Sequence, residues 1–320
     1  MTQERDREDG AKPSPTGMTR RQLMRHSAWF GAAVMMTVTG GEVVSHVIGG
    51  GTAHAAAADP GALHFVQLSD SHIGFTGTAN TDVTGSFAGA IEQVNQLPVR
   101  PDFVMHTGDL THLSTPEQFD QVKQMMTGLR TPRVFTVPGE HDSVDDHGEK
   151  YRAAFGLGGG GNGWYSFDVK GVHALALVNS LSLEKLGHLG QDQLDWVRDD
   201  LAGRSSDTPI VVFSHIPLFA MYPQWGWGTD DATQVLSLLR RFSSVTCLNG
   251  HVHQVFSMTD GNVTFHSATT TAYPLPHPGD SPAPTPVTLP PGKLKAALGI
   301  REVTFRPGGA GPAVIDEPLR

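Results

Sequence analysis

The sequence predicts a layered α/β sandwich, and three observations carry that prediction. From Leu63 onward, short β-rich apolar runs bounded by turn residues alternate with stretches of helical periodicity. Polar residues recur just past the ends of those runs, where open α/β folds gather their reactive groups. With 38% hydrophobic and 17% charged residues in 320, the chain has the material for a core and is not a disordered polymer.

Taken in order, the chain opens on a segment that is not expected to be part of the fold. A charged stretch reaches Arg20-Arg21, the apolar run AWFGAAVMMTVTG follows, and small residues lie around Ala55. Residues 1–55 read as a twin-arginine (Tat) export signal, which would make the Tat machinery a partner and the protein an exported one. The apolar run falls short of the ~20 residues a membrane span requires, so no stable span is expected in the mature chain.

The folded domain is expected over 60–310. Its strands read as LHFVQLS (63–69), DFVMHT (102–107), RVFTV (133–137), VHALALVNS (172–180), PIVVFSH (209–215) and SVTCLNG (244–250). Helices are expected over 83–97, 116–128, 190–202 and 231–242, with Thr115-Pro116-Glu117 and Gly190-Gln191 as starts. Two hairpins, WYSFDV into VHALALV and HQVFSM into NVTFHSA, precede a final strand over 298–305. GLGGGGNG (156–163) lacks the strand-to-helix context of a phosphate cradle and reads as a flexible loop, and 274–292 as a Pro-rich extended surface segment.

Composition narrows the chemistry. Residues 1–55 carry six basic and five acidic side chains, so the remainder is more acidic than the net −9 of the whole chain. That argues against a nucleic-acid polymer as partner, because such affinity comes largely from Lys and Arg on phosphates. The single cysteine, Cys247, excludes an intrachain disulfide and thiolate-rich metal sites. Any metal must rest on nitrogen and oxygen, a donor set suited to iron, manganese, zinc or nickel.

Those donors stand at five strand ends: Asp70 and His72, then Asp109 and His112, then Glu140, His141 and Asp142, then His215, and last His251 and His253. Alternation along an extended strand end would put both side chains of Asp70 and His72 on one side, and likewise His251 and His253. The donors are too many for one ion of four to six ligands, which argues for two metals sharing Asp109. Two ions ~3.5–4 Å apart can clamp a phosphate and activate water.

DSH (70–72), GDLTH (108–112), GEHD (139–142), His215 and GHVH (250–253) together resemble the five ordered motifs of the calcineurin-like metallophosphoesterase superfamily, across about 65–265. The resemblance implies a four-layer α/β/β/α sandwich, metallo-dependent phosphatase-like, with a dinuclear centre. By matching position, Asp70, His72 and His253 would hold the first ion, Asp109 would bridge, and Glu140, His215 and His251 would hold the second. His141 matches the histidine that contacts the phosphate or protonates the leaving group, and the nucleophile would be water or hydroxide activated by two ions of the iron, manganese or zinc type.

Two positions depart from the family pattern. Asn is usual where this chain has Glu140, and Asp or Tyr where it has His112, so His112 could orient His141, bind a metal, or do neither. Two divalent ions, two aspartates and a hydroxide leave one net positive charge, which Glu140 would cancel. Either one ion is then trivalent, or the substrate is a phosphodiester, with less charge than a monoester. The aromatic loop 217–231 offers Tyr222, Trp225 and Trp227 as an apolar wall for a substrate, or as cover for a hydrophobic edge. His147, His173, His188, His266 and His277 read as ordinary polar residues. The expected function is hydrolysis of a small phosphodiester. Its alternatives are a phosphomonoesterase, a non-hydrolytic metal-binding or redox protein on the same scaffold, and an interaction protein using the tryptophan loop.

Overall fold

Strands β3 (Leu63–Leu68), β4 (Phe103–Thr107), β7 (Val172–Ala176), β8 (Ile210–Phe213) and β9 (Val245–Asn249) are buried at every position, so both faces of each are covered. The structure, a computed structural model, describes residues 33–39, 42–48, 59–156, 161–181, 186–306, 308–309 and 311–320. Two units divide the chain, Met1–Ala57 and Ala58–Arg320. In the first, β1 (Ala33–Thr39) and β2 (Glu42–Ile48) pair antiparallel from Ala33 with Ile48 to Thr39 with Glu42. The rest of the expected export signal, Arg20 and Arg21 included, lies outside the described residues. No helix among the described residues is long and apolar enough to cross a membrane.

The second unit is the four-layer sandwich. One sheet has five strands in the order β13-β12-β3-β4-β5, with β5 at Val134–Val137, β12 at Gly299–Phe305 and β13 at Ala313–Pro318. The other has six, β10-β11-β9-β8-β7-β6, with β6 at Tyr165–Val169, β10 at Phe256–Asp260 and β11 at Val263–Ser267. The β3–β4–β5 and β7–β8–β9 neighbours are parallel, so in each sheet their carboxyl ends reach the same edge. Between the sheets, Phe65 stacks on Phe103 at 4.6 Å and meets Phe213 edge-on at 5.6 Å. Burial of each such ring contributes about 1.5–3 kcal/mol.

The outer layers are helical. Helices α1 (Val83–Asn95), α2 (Pro116–Met126) and α3 (Glu149–Phe155) send Phe87, Ile91, Phe119, Val122 and Tyr151 against the five-stranded sheet. Helices α4 (Gln191–Leu201) and α5 (Ala232–Leu239) send Leu194, Val197, Val235 and Leu239 against the other sheet. The start of α2 is as expected, with Thr115 capping the Gln118 N–H at 3.3 Å and Pro116 in the first turn.

Three features were not foreseen. The seven-residue α3 is too short to show a periodic signature, and so is the final one-turn helix, α6 (Leu294–Ala297). Strand β13 extends the sheet past the boundary expected at 310, pairing Thr304 with Ala313 through Gly299 with Pro318. Its side chains are half-buried or exposed along most of its length, as suits an edge strand. The Pro-rich segment has neither helix nor strand and is tied down by Gln254, whose amide donates to the Leu275 and Pro276 carbonyls.

A polar layer closes the inter-sheet core at the end nearer the motifs. Arg301 on β12, 1% exposed, donates to Asp316 on β13 at 2.8 Å, to Gln67 on β3 at 3.3 Å and to the Ser267 carbonyl on β11 at 2.8 Å. Gln67 in turn donates to Thr107 and to the Asn249 carbonyl. Removing one partner of a buried, hydrogen-bonded ion pair costs 3–5 kcal/mol, and because Asp316 stays partly solvated the lower end applies. Arg301→Ala should therefore lower unfolding free energy by about 3 kcal/mol in urea melts, against under about 0.5 kcal/mol for Arg198→Ala on the surface. Equal losses in the two variants would show that Arg301 does not join the sheets.

Candidate metal centre

The motif residues take shape through unusual backbone. Asp70, His72, Asp109, His251 and His253 all have positive φ, between 42° and 66°. Side chains therefore converge through left-handed turns just beyond the strands, and not through the strand alternation expected for Asp70–His72 and His251–His253. Left-handed residues of this kind cost of order 1–3 kcal/mol each and persist only where the surroundings over-determine them. Here the surroundings are the neighbouring turns: the Asp70, His72 and Ile73 amides donate to the carbonyls of Gly108, Asp109 and Leu110 at 2.9–3.0 Å. Two motif glycines are steric requirements, since a Cβ on Gly139 would collide with Asp109, and one on Gly250 with Ser69 and Asp70.

The turns bring two donor groups together. Asp70, His72, Asp109 and His253 offer ligand atoms within 4.8 Å of one another, all buried, and Glu140, His215 and His251 form a second such group. Asp109 joins the two: its Oδ2 is 3.5 Å from His72 Nε2 and 3.3 Å from His215 Nε2, while Oδ1 accepts the His141 N–H at 2.9 Å. His72 Nε2 and His253 Nε2 lie 3.2 Å apart, and His253 Nε2 is 3.3 Å from Asp70 Oδ1. Metal–ligand bonds of 2.0–2.2 Å put neighbouring donors of a tetrahedron about 3.3–3.6 Å apart, so the first group is spaced for an ion. Glu140 is closer, with one oxygen 2.8 Å from His215 Nε2 and the other 2.8 Å from His251 Nδ1.

The donor set fits cations on a further count. Asp70 Oδ2 and His251 Nε2 are buried with no hydrogen-bond partner, and Glu140 Oε2 and His215 Nε2 have at best each other. Buried polar atoms are nearly always satisfied, and such under-used donors in one cluster mark a place where an ion completes the bonding. Backbone carbonyls fix the rings: Thr107 O accepts from His215 Nδ1 at 2.7 Å and Tyr273 O from His253 Nδ1 at 2.6 Å. A carbonyl only accepts, so Nδ1 carries a proton and Nε2 is the ring nitrogen turned toward the cluster.

His141 stands beside the shared carboxylate. Its Nδ1 donates to His112 O at 2.8 Å and its ring stacks on that of His112 at 4.8 Å. Burial opposes its charged form, but Asp109 and Glu140 outweigh burial and hold its pKa above the ordinary value. Burial, with His141 next, pushes His112 down to about 4, so a neutral ring faces His141. His112 thus orients His141 through its main chain, and its own Nδ1 lies 3.4 Å from His72 Nδ1.

Two further residues complete the site, Asp142 of the GEHD motif, assigned neither metal ion, and Tyr273, which the sequence did not single out. Asp142 accepts from the Leu110, Thr111 and Gly139 amides and from the Thr111 hydroxyl, stitching the turn after β5 to the turn after β4. Tyr273, 4% exposed, lays its ring 4.8 Å from His72 and 5.0 Å from His253. Asp142 stood inside a legible motif, whereas Tyr273 lies in a stretch without periodicity and only the fold brings it in. In the aromatic loop one of the three rings is buried. Trp227 is 1% exposed, and the rings of Tyr222, Trp225 and Trp227 contact one another, with no ring contact to a motif histidine. Tyr222 and Trp225 are half-buried.

Known proteins share this architecture. A glycerophosphodiester phosphodiesterase of Enterobacter lignolyticus is 26% identical over 265 residues, 80% of this chain and 93% of that one. A probable cyclic nucleotide phosphodiesterase of Synechococcus is 25% identical over 231 residues, 69% of this chain and 86% of its own length. Among solved structures, a dimetal phosphatase from Danio rerio has a TM-score of 0.55 at 16% identity, covering 79% of this chain and 98% of that one. Purple acid phosphatase from yellow lupin has a TM-score of 0.56 at 14% identity, covering 76% and 49%. At these identities the structural likeness speaks for the fold alone. The family model described as calcineurin-like phosphoesterase matches residues 63–255, more than half of the chain and every motif in it, and the chain belongs to that family.

Proposed function

We propose that this phosphoric ester hydrolase cleaves a phosphodiester at a dinuclear metal centre and is exported by the twin-arginine route. The observation that carries the hydrolytic reading is the single oxygen of Asp109 set between two donor groups, with His141 hydrogen-bonded to the other oxygen. In this reading Asp70, His72 and His253 hold one ion, Glu140, His215 and His251 the other, and Asp109 both. Such ions would supply charge to the phosphoryl oxygens and lower the pKa of a water. His141, with Nδ1 committed to His112 O, presents Nε2 for a phosphoryl oxygen or for the departing alkoxide, to which it gives a proton. His112 keeps that ring in plane, and Asp142 keeps its turn against Asp109.

Preference for a diester rests on charge. Glu140 adds a third carboxylate to Asp70 and Asp109, so a cluster of two divalent ions and a hydroxide is neutral, and a dianionic monoester gains less there than it would at a positive cluster. The names of the relatives, a glycerophosphodiester phosphodiesterase and cyclic nucleotide phosphodiesterases, support the same class. Export is supported by Arg20-Arg21 ahead of the apolar run.

Protein of verified metal content, loaded in turn with manganese, iron and zinc, should hydrolyse bis-p-nitrophenyl phosphate faster than p-nitrophenyl phosphate, and Asp109→Asn should lose both turnover and bound metal. No turnover with any of the three ions would reject the reading. Glu140→Asn should move the ratio of kcat/KM for the two esters toward the monoester by about tenfold, the rate equivalent of ~1.4 kcal/mol. An unchanged ratio would remove the charge argument. Replacing Arg20 and Arg21 with Lys should leave folded protein in the cytoplasmic fraction of the native host, and continued export would rule out the twin-arginine route.

A further inference from the structure

We propose that residues 270–273, in the segment between β11 and α6, are positioning residues that set the affinity of the first ion, with the Thr270 hydroxyl as the controlling contact. The proposal rests on the dinuclear reading and adds to it the element that makes the two donor groups unequal. The segment lies beyond residues 63–255, which the family model matches, and holds none of the candidate ligands.

Hydrogen bonding is the first argument. The Thr270 hydroxyl donates to the Asp70 carbonyl at 2.8 Å and accepts the Ala272 N–H at 2.8 Å. A hydroxyl has one proton, so the Ala272 amide leaves it aimed at Asp70. That carbonyl has no other hydrogen-bond partner among the described residues, and both Asp70 and Thr270 are fully buried. Asp70 is one of the left-handed donors, with φ 54°, and the peptide that Thr270 grips is the one that follows this strained residue. Three residues on, the Tyr273 carbonyl accepts from His253 Nδ1 at 2.6 Å, and the Tyr273 ring lies 4.8 Å from His72 and 5.0 Å from His253. The segment is itself tied down, because the Thr271 amide donates to Ser69 O at 3.0 Å and Asn80 donates to Ala272 O at 2.6 Å.

Asymmetry is the second argument. Asp70, His72 and His253 are the ligands assigned to the first ion alone, and residues 270–273 contact all of them. Among the described residues the segment makes no hydrogen bond or ring contact with Glu140, His215 or His251. Those take their support elsewhere: His215 from Thr107 O, and Glu140 from the two histidines beside it. The link between the groups on this side is the His251 amide, which donates to Asp70 Oδ1 at 3.0 Å. Partners that orient a ligand typically contribute 10–100-fold in metal affinity. Applied to one donor group only, that contribution separates the affinities of the two ions.

Calorimetric titration of the metal-free full chain with manganese tests this, with His72→Ala and His215→Ala assigning the two binding steps. Thr270→Val keeps the volume and removes the hydroxyl. It should weaken the first-ion step about 10–100-fold and leave the second within about twofold, and Thr270→Ser should restore the first. Thr271→Val, a hydroxyl loss of equal burial in the same segment, should leave both steps unchanged, because Ser69 O keeps the Thr271 amide. Tyr273→Leu removes the ring and keeps the carbonyl, should weaken the same step as Thr270→Val, and decides the matter where Thr270→Val does not fold. Equal weakening of both steps, or a first step unmoved in Thr270→Val and Tyr273→Leu with retained melting midpoints, would overturn the proposal. Fewer than two ions bound by the unaltered protein would reject the dinuclear reading, and this proposal with it.

Discussion

Three carboxylates and four imidazoles are held within a few ångströms of one another at the edge of the sandwich, and most of them are out of water. Such a cluster is unfavourable by itself: the carboxylates repel, and desolvation penalises each charge. Asp109 is the point at which the conflict is sharpest, because His72, His215 and the His141 amide all converge on its two oxygens. Cations between the donors convert that repulsion into coordination. The surrounding architecture can be read as the means of keeping the donors in place whether or not the cations are there.

Rigidity of that kind comes from backbone more than from side-chain packing. Five left-handed donor residues sit in turns that hydrogen-bond to one another, so no turn can relax without breaking bonds in the next. Asp142 supplies the same service between the turns after β4 and β5, and burial, with Asp109 second, raises its pKa to about 6. Gly139 and Gly250 permit the close approach that side chains would block. Beneath them the Gln67–Arg301–Asn249 layer joins the two sheets, and the aromatic core around Phe65 fills the space below. Strain at the rim is therefore balanced by order in the layers underneath.

Much of this was legible in the sequence. The buried parallel strands announce themselves as apolar runs, and each ends on a polar motif, so the order of donors along the rim follows from strand order alone. The physical reason first given for their convergence was wrong: alternation applies to extended chain, and Asp70, His72, His251 and His253 are not extended. Short or half-exposed elements such as α3 and β13 carry too little periodicity to be read. Tyr273 was invisible for a different reason, since its surroundings depend on contacts between segments far apart in the chain, and no local pattern encodes those. Trp227 shows the converse, a conspicuous local signal that the fold buries.

Glu140 is the carboxylate of the second donor group. A carboxamide offers one acceptor oxygen, and the carboxylate offers two, which here reach His215 and His251 separately at 2.8 Å. Burial opposes its charge, yet His251 and His215 outweigh that and hold its pKa well below the ordinary carboxylate value, so it is an anion in this setting. An anion at that place has two consequences of opposite sign. It strengthens the hold on a cation between the same histidines, and it weakens the attraction of the finished centre for a second negative charge on the phosphoryl group. In the proposed centre, tighter metal binding and a lower charge limit on the substrate are thus linked through one side chain.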